Sequence, residues 1–185
     1  MNATELRPGN YYEDSNELLL VIDILLNKTA MRKMVAKVKV KNVRTGSITE
    51  KSYNSGYNVE TVRLEKNKMN YLYDDGTSFV FMDQTTYNQI EIAHDKLEWE
   101  KQFLKENLEV EIVSYDEEIL GINLPAKVAL KITHCEPAVR GDTVNKATKE
   151  ATLETGLKVR VPLFINDGEN VLVRTDNAQY DGRAN

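Results

Sequence analysis

Short apolar runs separated by tight turns recur along the whole chain and leave few folds open to it. The clearest run covers residues 36–41, where alternate positions are apolar and the positions between them are lysines. Successive side chains of a β-strand point to opposite faces, so this alternation predicts a strand with one buried face and one cationic face. The buried face would hold Ala36, Val38 and Val40, and the cationic face Lys37, Lys39 and Lys41. Many such short strands with turns between them predict an all-β chain of small barrels.

The first third of the chain predicts an SH3-like barrel. A Pro-Gly pair places a turn at residues 6–10, and residues 11–17 read as a polar connection. An apolar strand is predicted at Leu18–Leu26, and further short strands at Ser47–Tyr53 and Val59–Leu64, beside the lysine strand. Short strands with tight turns in about 64 residues suit one small barrel, which we assign to residues 1–64.

The second third, residues 65–127, opens with a strong hairpin signal. Strands at Met69–Tyr73 and Ser78–Met82 flank an Asp-Gly turn, which favours a tight reversal. The aromatic face of this hairpin could stack nucleobases or pack in a core, and the acidic surroundings favour the core. That face consists of Tyr71, Tyr73, Phe79 and Phe81.

A helix is predicted at His94–Glu106, because Asp95 followed by Glu98 has the spacing of a capping box. Strands at Val110–Tyr115 and Leu120–Leu124 follow it. The size and strand pattern predict an OB-type barrel.

The last third, residues 128–185, predicts a second OB-type barrel. It has a strand at Val128–His134, a long polar loop at Glu136–Lys149 and several short strands after that. Those strands are predicted at Ala151–Leu153, Leu157–Val161, Asn170–Val173 and Gln179–Tyr180.

Composition limits the chemistry that the chain could perform. One cysteine, Cys135, excludes an internal disulfide, and with only two histidines no zinc-site spacing can be built. His134 and Cys135 are neighbours on a predicted strand and point to opposite faces, so they cannot act as a catalytic pair. No apolar run approaches the roughly 18 residues of a membrane span, and residues 1–10 lack the apolar core of a signal peptide. We therefore expect a cytoplasmic protein without membrane contact, cofactor, metal or enzymatic activity.

Charge is distributed unevenly and restricts where nucleic acid could bind. The net charge is +3 over residues 1–64, −8 over residues 65–127 and 0 over residues 128–185. An acidic middle third argues against contact with nucleic acid along the whole length. Residues 28–33 hold three cations between two predicted strands and form a basic tip. This tip either reaches a phosphate backbone or is a solvated turn.

Several segments together resemble bacterial translation elongation factor P. Residues 149–168 keep the family's spacing of Lys, Ala, Gly, Val, Val-Pro, Ile and Gly. Residues 71–82, with Tyr-Leu-Tyr, Asp-Gly and Phe-Met, match the family's second domain. Residues 140–143, Arg-Gly-Asp-Thr, match a loop of its third domain. The resemblance covers essentially the whole chain.

The resemblance implies a fold and a function. The fold is an SH3/KOW-like N-terminal barrel followed by two OB-fold barrels, in an L-shaped arrangement similar to tRNA. The function is to bind the ribosome between the P and E sites and to stimulate peptide-bond formation when consecutive prolines stall synthesis. The partners would be ribosomal RNA, the P-site peptidyl-tRNA and the E-site codon of the mRNA, and the protein would be a monomer.

The resemblance also implies the residues that meet RNA. The tip loop would reach the CCA end of the P-site tRNA through Thr29, Ala30, Met31, Arg32 and Lys33. The third-domain loop would approach the E-site codon through Gly141, Asp142 and Thr143. Further RNA-contacting candidates are Lys28, Lys37, Lys39, Tyr180 and Arg183.

The tip departs from the family at one position. Many members carry a modified lysine in a Pro-Gly-Lys-Gly loop, and others carry a modified arginine. Counting without gaps, Met31 stands at the modified position, and methionine can take neither modification. Function without modification, and modification of Arg32 or Lys33, both remain open.

A tandem OB-fold protein that binds single-stranded RNA or DNA is the alternative function. It would need aromatic platforms in a basic groove, whereas the aromatic hairpin lies in the acidic third. Affinity for free oligonucleotides compared with affinity for ribosomes would separate the two.

Overall fold

The computed structural model describes residues 1–28, 34–137 and 148–184. These residues form three antiparallel β-sheets of five strands each, which confirms the all-β prediction. The chain divides into two compact units. The first comprises Met1–Glu65 and Ser114–Leu120, and the second comprises Lys66–Val113 and Gly121–Asn185.

The first sheet contains one strand that the sequence did not predict. Its strands are β1 (Tyr11–Asp14), β2 (Glu17–Asn27), β3 (Val35–Asn42), β4 (Ile48–Asn54) and β5 (Glu60–Val62), in the order β4-β3-β2-β1-β5. The predicted polar connection is β1 and its turn, so that prediction was wrong. Tyr12 is fully buried in the core, and the other three residues of β1 are half-buried. Ser15 and Asn16, at φ of 53° and 66°, form the tight turn into β2.

The alternation of β3 is confirmed. Ala36, Val38 and Val40 are fully buried, and the three lysines between and after them are exposed. The core against which β3 packs also contains Leu6, Tyr12, Leu19, Val21, Tyr53 and Val59. Residues 114–120 belong to the same unit, where Arg44 Nε lies 3.0 Å from a carboxylate oxygen of Glu118.

The second sheet has the predicted hairpin. Its strands are β6 (Glu65–Asp74), β7 (Ser78–Met82), β8 (Gln89–Ala93), β9 (Glu109–Tyr115) and β10 (Glu118–Asn123), in the order β10-β9-β6-β7-β8. The turn from β6 to β7 uses Gly76 at φ +97°, a conformation that favours glycine. Tyr71, Phe79 and Phe81 are buried, as expected of core residues. Tyr73 is 53% exposed, because a register shift after Tyr71 turns it outward.

The helix predicted at residues 94–106 is wrong. The segment forms two short 3₁₀ turns, His94–Leu97 and Glu100–Gln102, and the described part of the chain holds no α-helix. No side chain caps the first turn. Phe103 is fully buried within the core of the third sheet, and the Trp99 indole N–H donates to the Thr175 carbonyl at 2.8 Å. Packing against a neighbouring sheet therefore overrides the local helix signal.

The third sheet completes the second unit. Its strands are β11 (Lys127–Cys135), β12 (Thr148–Leu153), β13 (Lys158–Pro162), β14 (Asn170–Arg174) and β15 (Tyr180–Arg183), in the order β13-β12-β11-β14-β15. β11 pairs with β14 over its first half and with β12 over its second half, with a register shift after Ile132. Its core includes Leu130, Ile132, Leu153, Val161, Ile165 and Val171.

Candidate nucleic-acid interface

The two loops predicted to meet RNA lie outside the described residues. These are the tip, Thr29–Lys33, and Gly141–Thr143 of the third-domain loop. The structure describes the strands on either side of them. The tip joins β2 to β3, and the second loop lies between β11 and β12.

The β2–β3 hairpin is paired right up to the tip. Its register runs from Leu19 opposite Asn42 to Asn27 opposite Val35, with one irregularity between Val21 and Asp23. β2 loses its burial after Val21, where Ile24 is the one β2 residue that is not exposed, whereas its partner β3 stays buried at Val38 and Ala36. The paired strands β2 and β3 form a shaft that leads to Lys28, which is exposed at its end.

One face of this shaft carries the lysines. Lys37, Lys39 and Lys41 lie about 7 Å apart along β3, the distance between every second residue of a strand. Their surroundings are partly acidic, because Lys37 Nζ lies 3.6 Å from Glu50 and Asp23 is opposite Lys39. The Lys37–Glu50 pair is well exposed, so it holds its lysine weakly and leaves it available to a stronger anion.

The shaft also exposes apolar side chains that sequence reasoning missed. Ile22, Leu25 and Leu26 are 38%, 58% and 46% exposed. The sequence predicted an apolar strand over Leu18–Leu26, because this run is almost continuously apolar. No sequence signal separates the half of that run that enters the core from the half that extends beyond it.

A network of polar side chains links strands β1, β2 and β4 of the first sheet. The Asp14 carboxylate accepts hydrogen bonds from the hydroxyls of Tyr53, at 2.8 Å, and Tyr57, at 3.0 Å. Lys51 Nζ lies 3.5 Å from Asp14 and donates to Glu17. Burial acts to raise the pKa of Asp14, but the two hydroxyls and Lys51 outweigh it and hold that pKa below its usual value.

Tyrosine hydroxyls in the same network are held neutral. Burial, the Tyr12 hydroxyl and Asp14 together raise the pKa of Tyr53 far above its usual value. Tyr12 and Tyr53 share a hydrogen bond of 3.0 Å, and Tyr57 stacks on Tyr53 with ring centroids 5.0 Å apart. The network therefore fixes β1 and β4 on either side of the hairpin.

On the third sheet, two predicted RNA contacts have different environments. Tyr180 is half-buried against the core. The Arg183 guanidinium is exposed, with Nε 3.0 Å from Glu169 and its carbon 4.9 Å from the centre of the Phe164 ring. Phe164 and its neighbour Leu163 are 60% and 41% exposed. Sequence reasoning passed over Phe164, although an apolar pair directly after Pro162, where β13 ends, was visible there.

The remaining chemistry of the described residues is sparse. Cys135 is a half-buried strand residue, as predicted, and burial followed by Asp167 raises the pKa of its thiol. Within residues 1–28, 34–137 and 148–184, no three histidine, cysteine or acidic side chains gather as a metal would require. No helix there is long and apolar enough to cross a membrane.

Three five-stranded sheets in one chain, the first with a cationic hairpin, define a multidomain all-β protein. Three family models match successive parts of it: the elongation factor P KOW-like domain over residues 2–59, the elongation factor P OB domain over residues 64–122 and the elongation factor P C-terminal domain over residues 128–183. The chain belongs to the elongation factor P family and is a translation elongation factor.

Curated relatives match over their full length. Elongation factor P of Mesomycoplasma hyopneumoniae strain 232 is 46% identical over 184 residues, covering 100% of both chains. Elongation factor P of Mycoplasma genitalium is also 46% identical, covering 100% of this chain and 97% of the relative.

A solved structure shares part of the fold. It is the eukaryotic translation initiation factor 5A from Methanococcus jannaschii, with a TM-score of 0.51 and 20% identity. The match covers 68% of this chain and 90% of that one. At this identity the likeness concerns the fold alone.

Proposed function

We propose that the protein binds the ribosome between the P and E sites and stimulates peptide-bond formation at consecutive prolines. Membership of the elongation factor P family supports this proposal. The observation that carries it is the β2–β3 hairpin, whose paired, lysine-bearing shaft extends from the core to the basic tip. RNA would be contacted by Lys28, Lys37 and Lys39 along the shaft and by the tip residues at its end.

The proposed mechanism is positioning. Proline is a poor nucleophile and constrains the nascent chain, so the barrier lies in bringing the reacting groups into an attack-competent geometry. Holding reactants in such a geometry lowers a barrier by reducing the entropy that must still be lost. A tip supported by paired strands as far as Asn27 and Val35 can hold the CCA end of the P-site tRNA without forming a covalent bond.

Removing the charge of the tip tests this proposal. Arg32→Ala combined with Lys33→Ala should slow synthesis through proline runs and leave ordinary sequences at the normal rate, because only proline runs are limited by geometry. Each lost contact to RNA would cost about 1.5–3 kcal/mol if it is desolvated. Lys66→Ala combined with Lys68→Ala, which removes two exposed lysines of β6, is the control. Unchanged synthesis through proline runs in the tip variant would show that the tip does not act through charge.

Whether the tip is post-translationally modified is tested separately. An intact mass of the native protein equal to that of the sequence would establish function without modification, and an added mass mapped to Arg32 or Lys33 would establish modification there. Met31→Ala should have a mild effect if this side chain only packs within the loop. Met31→Lys should give a tip closer to the family pattern.

The loop of the third domain is proposed to approach the E-site codon. Asp142 would repel a phosphate, so we expect it to accept from base amino groups or to brace the loop, while backbone amides and the Thr143 hydroxyl contact RNA. Replacing Gly141, Asp142 and Thr143 by alanine should weaken stimulation while the melting temperature stays nearly unchanged. A large loss of stability would mean that the loop is structural.

The alternative, a single-strand-binding protein, has less support. Three of the four aromatic side chains that it would use on the second sheet are buried: Tyr71, Phe79 and Phe81. Binding to free oligonucleotides at moderate salt that is as tight as binding to ribosomes would favour this alternative.

A further inference from the structure

We propose that Phe164 and Arg183 form a stacking site for one unpaired RNA nucleobase where the two edge strands of the third sheet, β13 and β15, contact each other. The site rests on the proposed function, since the ribosomal complex would supply the RNA. It differs from the tip and from the Gly141–Thr143 loop in its chemistry, because it would recognise the flat face of a base.

The two side chains are held together from several directions. Phe164 follows β13, and Arg183 ends β15. The guanidinium carbon lies 4.9 Å from the centre of the phenyl ring, and Nη2 lies 3.4 Å from the Phe164 carbonyl oxygen. Nε lies 3.0 Å from Glu169. Arg183 is therefore fixed over one face of the ring, as in a cation–π pair.

The ring is rigidly presented and still open. Ile165, the next residue, is fully buried, and its N–H donates to the Pro162 carbonyl at 3.2 Å. The Asn166 side-chain amide donates to the Phe164 carbonyl at 3.3 Å. Although Arg183 covers one face, Phe164 remains 60% exposed. With its backbone held in place and most of the side chain exposed, the ring can receive another flat group on the surface that Arg183 does not cover.

A nucleotide suits both parts of this site. Its base would stack on the open face of Phe164, giving a stack of guanidinium, ring and base. Arg183 has five N–H donors, of which Glu169 and the Phe164 carbonyl occupy two, so Nη1 is left to donate to the adjoining phosphate. Bases within a duplex have both faces covered by their neighbours, so the site selects an unpaired nucleotide.

Photocrosslinking tests which molecule occupies the site. The full-length protein with p-benzoylphenylalanine at position 164 would be irradiated in complex with ribosomes carrying P-site tRNA. We expect the adduct on an unpaired nucleotide of RNA. An adduct on a ribosomal protein, an adduct on a paired nucleotide, or no adduct in a complex that has formed would overturn the proposal.

Affinity gives an independent readout. Phe164→Ala should weaken binding to the same ribosomes about 5- to 150-fold, the usual range for one lost base stack, and Phe164→Trp should restore it. Leu163→Ala, at the neighbouring exposed apolar residue, is the matched control and should bind like the unmutated protein. If the unmutated protein does not bind ribosomes, the proposed function is wrong; if it binds and Phe164→Ala binds equally well, only the stacking site is wrong.

Discussion

Asp14 shows how one side chain can stabilise the first sheet. Its carboxylate is 12% exposed and meets two tyrosine hydroxyls and one lysine. A charge so placed is stabilised by its partners, and removing it leaves the buried Tyr53 hydroxyl without a charged acceptor. The sequence could not reveal this network, because Asp14, Lys51 and Tyr53 are separated by up to 39 residues.

Asp14→Asn should lower the free energy of unfolding by about 1–3 kcal/mol at pH 7, measured by urea denaturation. The folded-state pKa of Asp14 lies below its ordinary value of 3.8. Its contribution is thus fully present above that ordinary value and is lost as the pH falls through the folded-state pKa. The difference between the two proteins should therefore shrink at low pH, and a difference that stays constant would show that charge is not its cause.

Tyr53 and Tyr57 offer a matched comparison within the same network. Both hydroxyls donate to Asp14, but Tyr53 is 6% exposed and Tyr57 is 45% exposed. Tyr53→Phe should cost about 1–3 kcal/mol, because water cannot replace the lost donor, and Tyr57→Phe should cost less than about 1 kcal/mol. Equal losses on thermal unfolding would mean that burial does not control the strength of these bonds.

At the scale of elements, strands with regular alternation were predictable. The boundaries and burial of β3 follow its sequence closely. When a core lies on one side of a strand, period-two alternation determines which residues face that core. β1 was missed because its outward-facing residues are polar and only Tyr12 enters the core. The candidate site was predictable only in its cations. The exposed apolar residues of the shaft and the Phe164–Arg183 pair depend on where the sheets end.

The segment 94–106 failed as a predicted helix for a reason that can be tested. Phe103 packs among third-sheet residues such as Val128 and Val171, so the local signal competes with burial in another sheet. Phe103→Ala should destabilise the protein by about 3–5 kcal/mol. Hydrogen exchange should also quicken in β11 and β14, which are distant in sequence. Quickened exchange confined to residues 94–104 would contradict the shared core.

At the scale of the whole molecule, the uneven charge gives a quantitative expectation. Each lysine that neutralises a phosphate adds about 0.7–0.9 to the slope of log affinity against log salt concentration. Replacing Lys28, Lys37 and Lys39 by glutamine should therefore reduce the slope for ribosome binding by about 2 to 3. The same change at Lys66, Lys68 and Lys105, in the acidic middle third, should leave the slope unchanged. Similar slopes for both variants would show that Lys28, Lys37 and Lys39 do not contact RNA.

The domain division at residues 64/65 and 127/128 stays a prediction, as does the L-shaped arrangement that the resemblance implies. A compact chain of 185 residues would have a radius of gyration of about 16 Å, and an L of three barrels should clearly exceed it in solution scattering. A value near 16 Å would contradict the arrangement.

The burial of Phe103 in the core of a sheet that begins at Lys127 also bears on how such a gene can change. A recombination event that exchanged residues 128–185 for a foreign barrel would leave Phe103 without a matching cavity. The core of the new barrel would also lack the side chain that normally fills it from residues 94–104. Successful exchanges would have to carry residues 94–104 along with the third sheet. The first sheet, whose core is drawn from residues 3–59, can accumulate substitutions in its interior independently of that constraint.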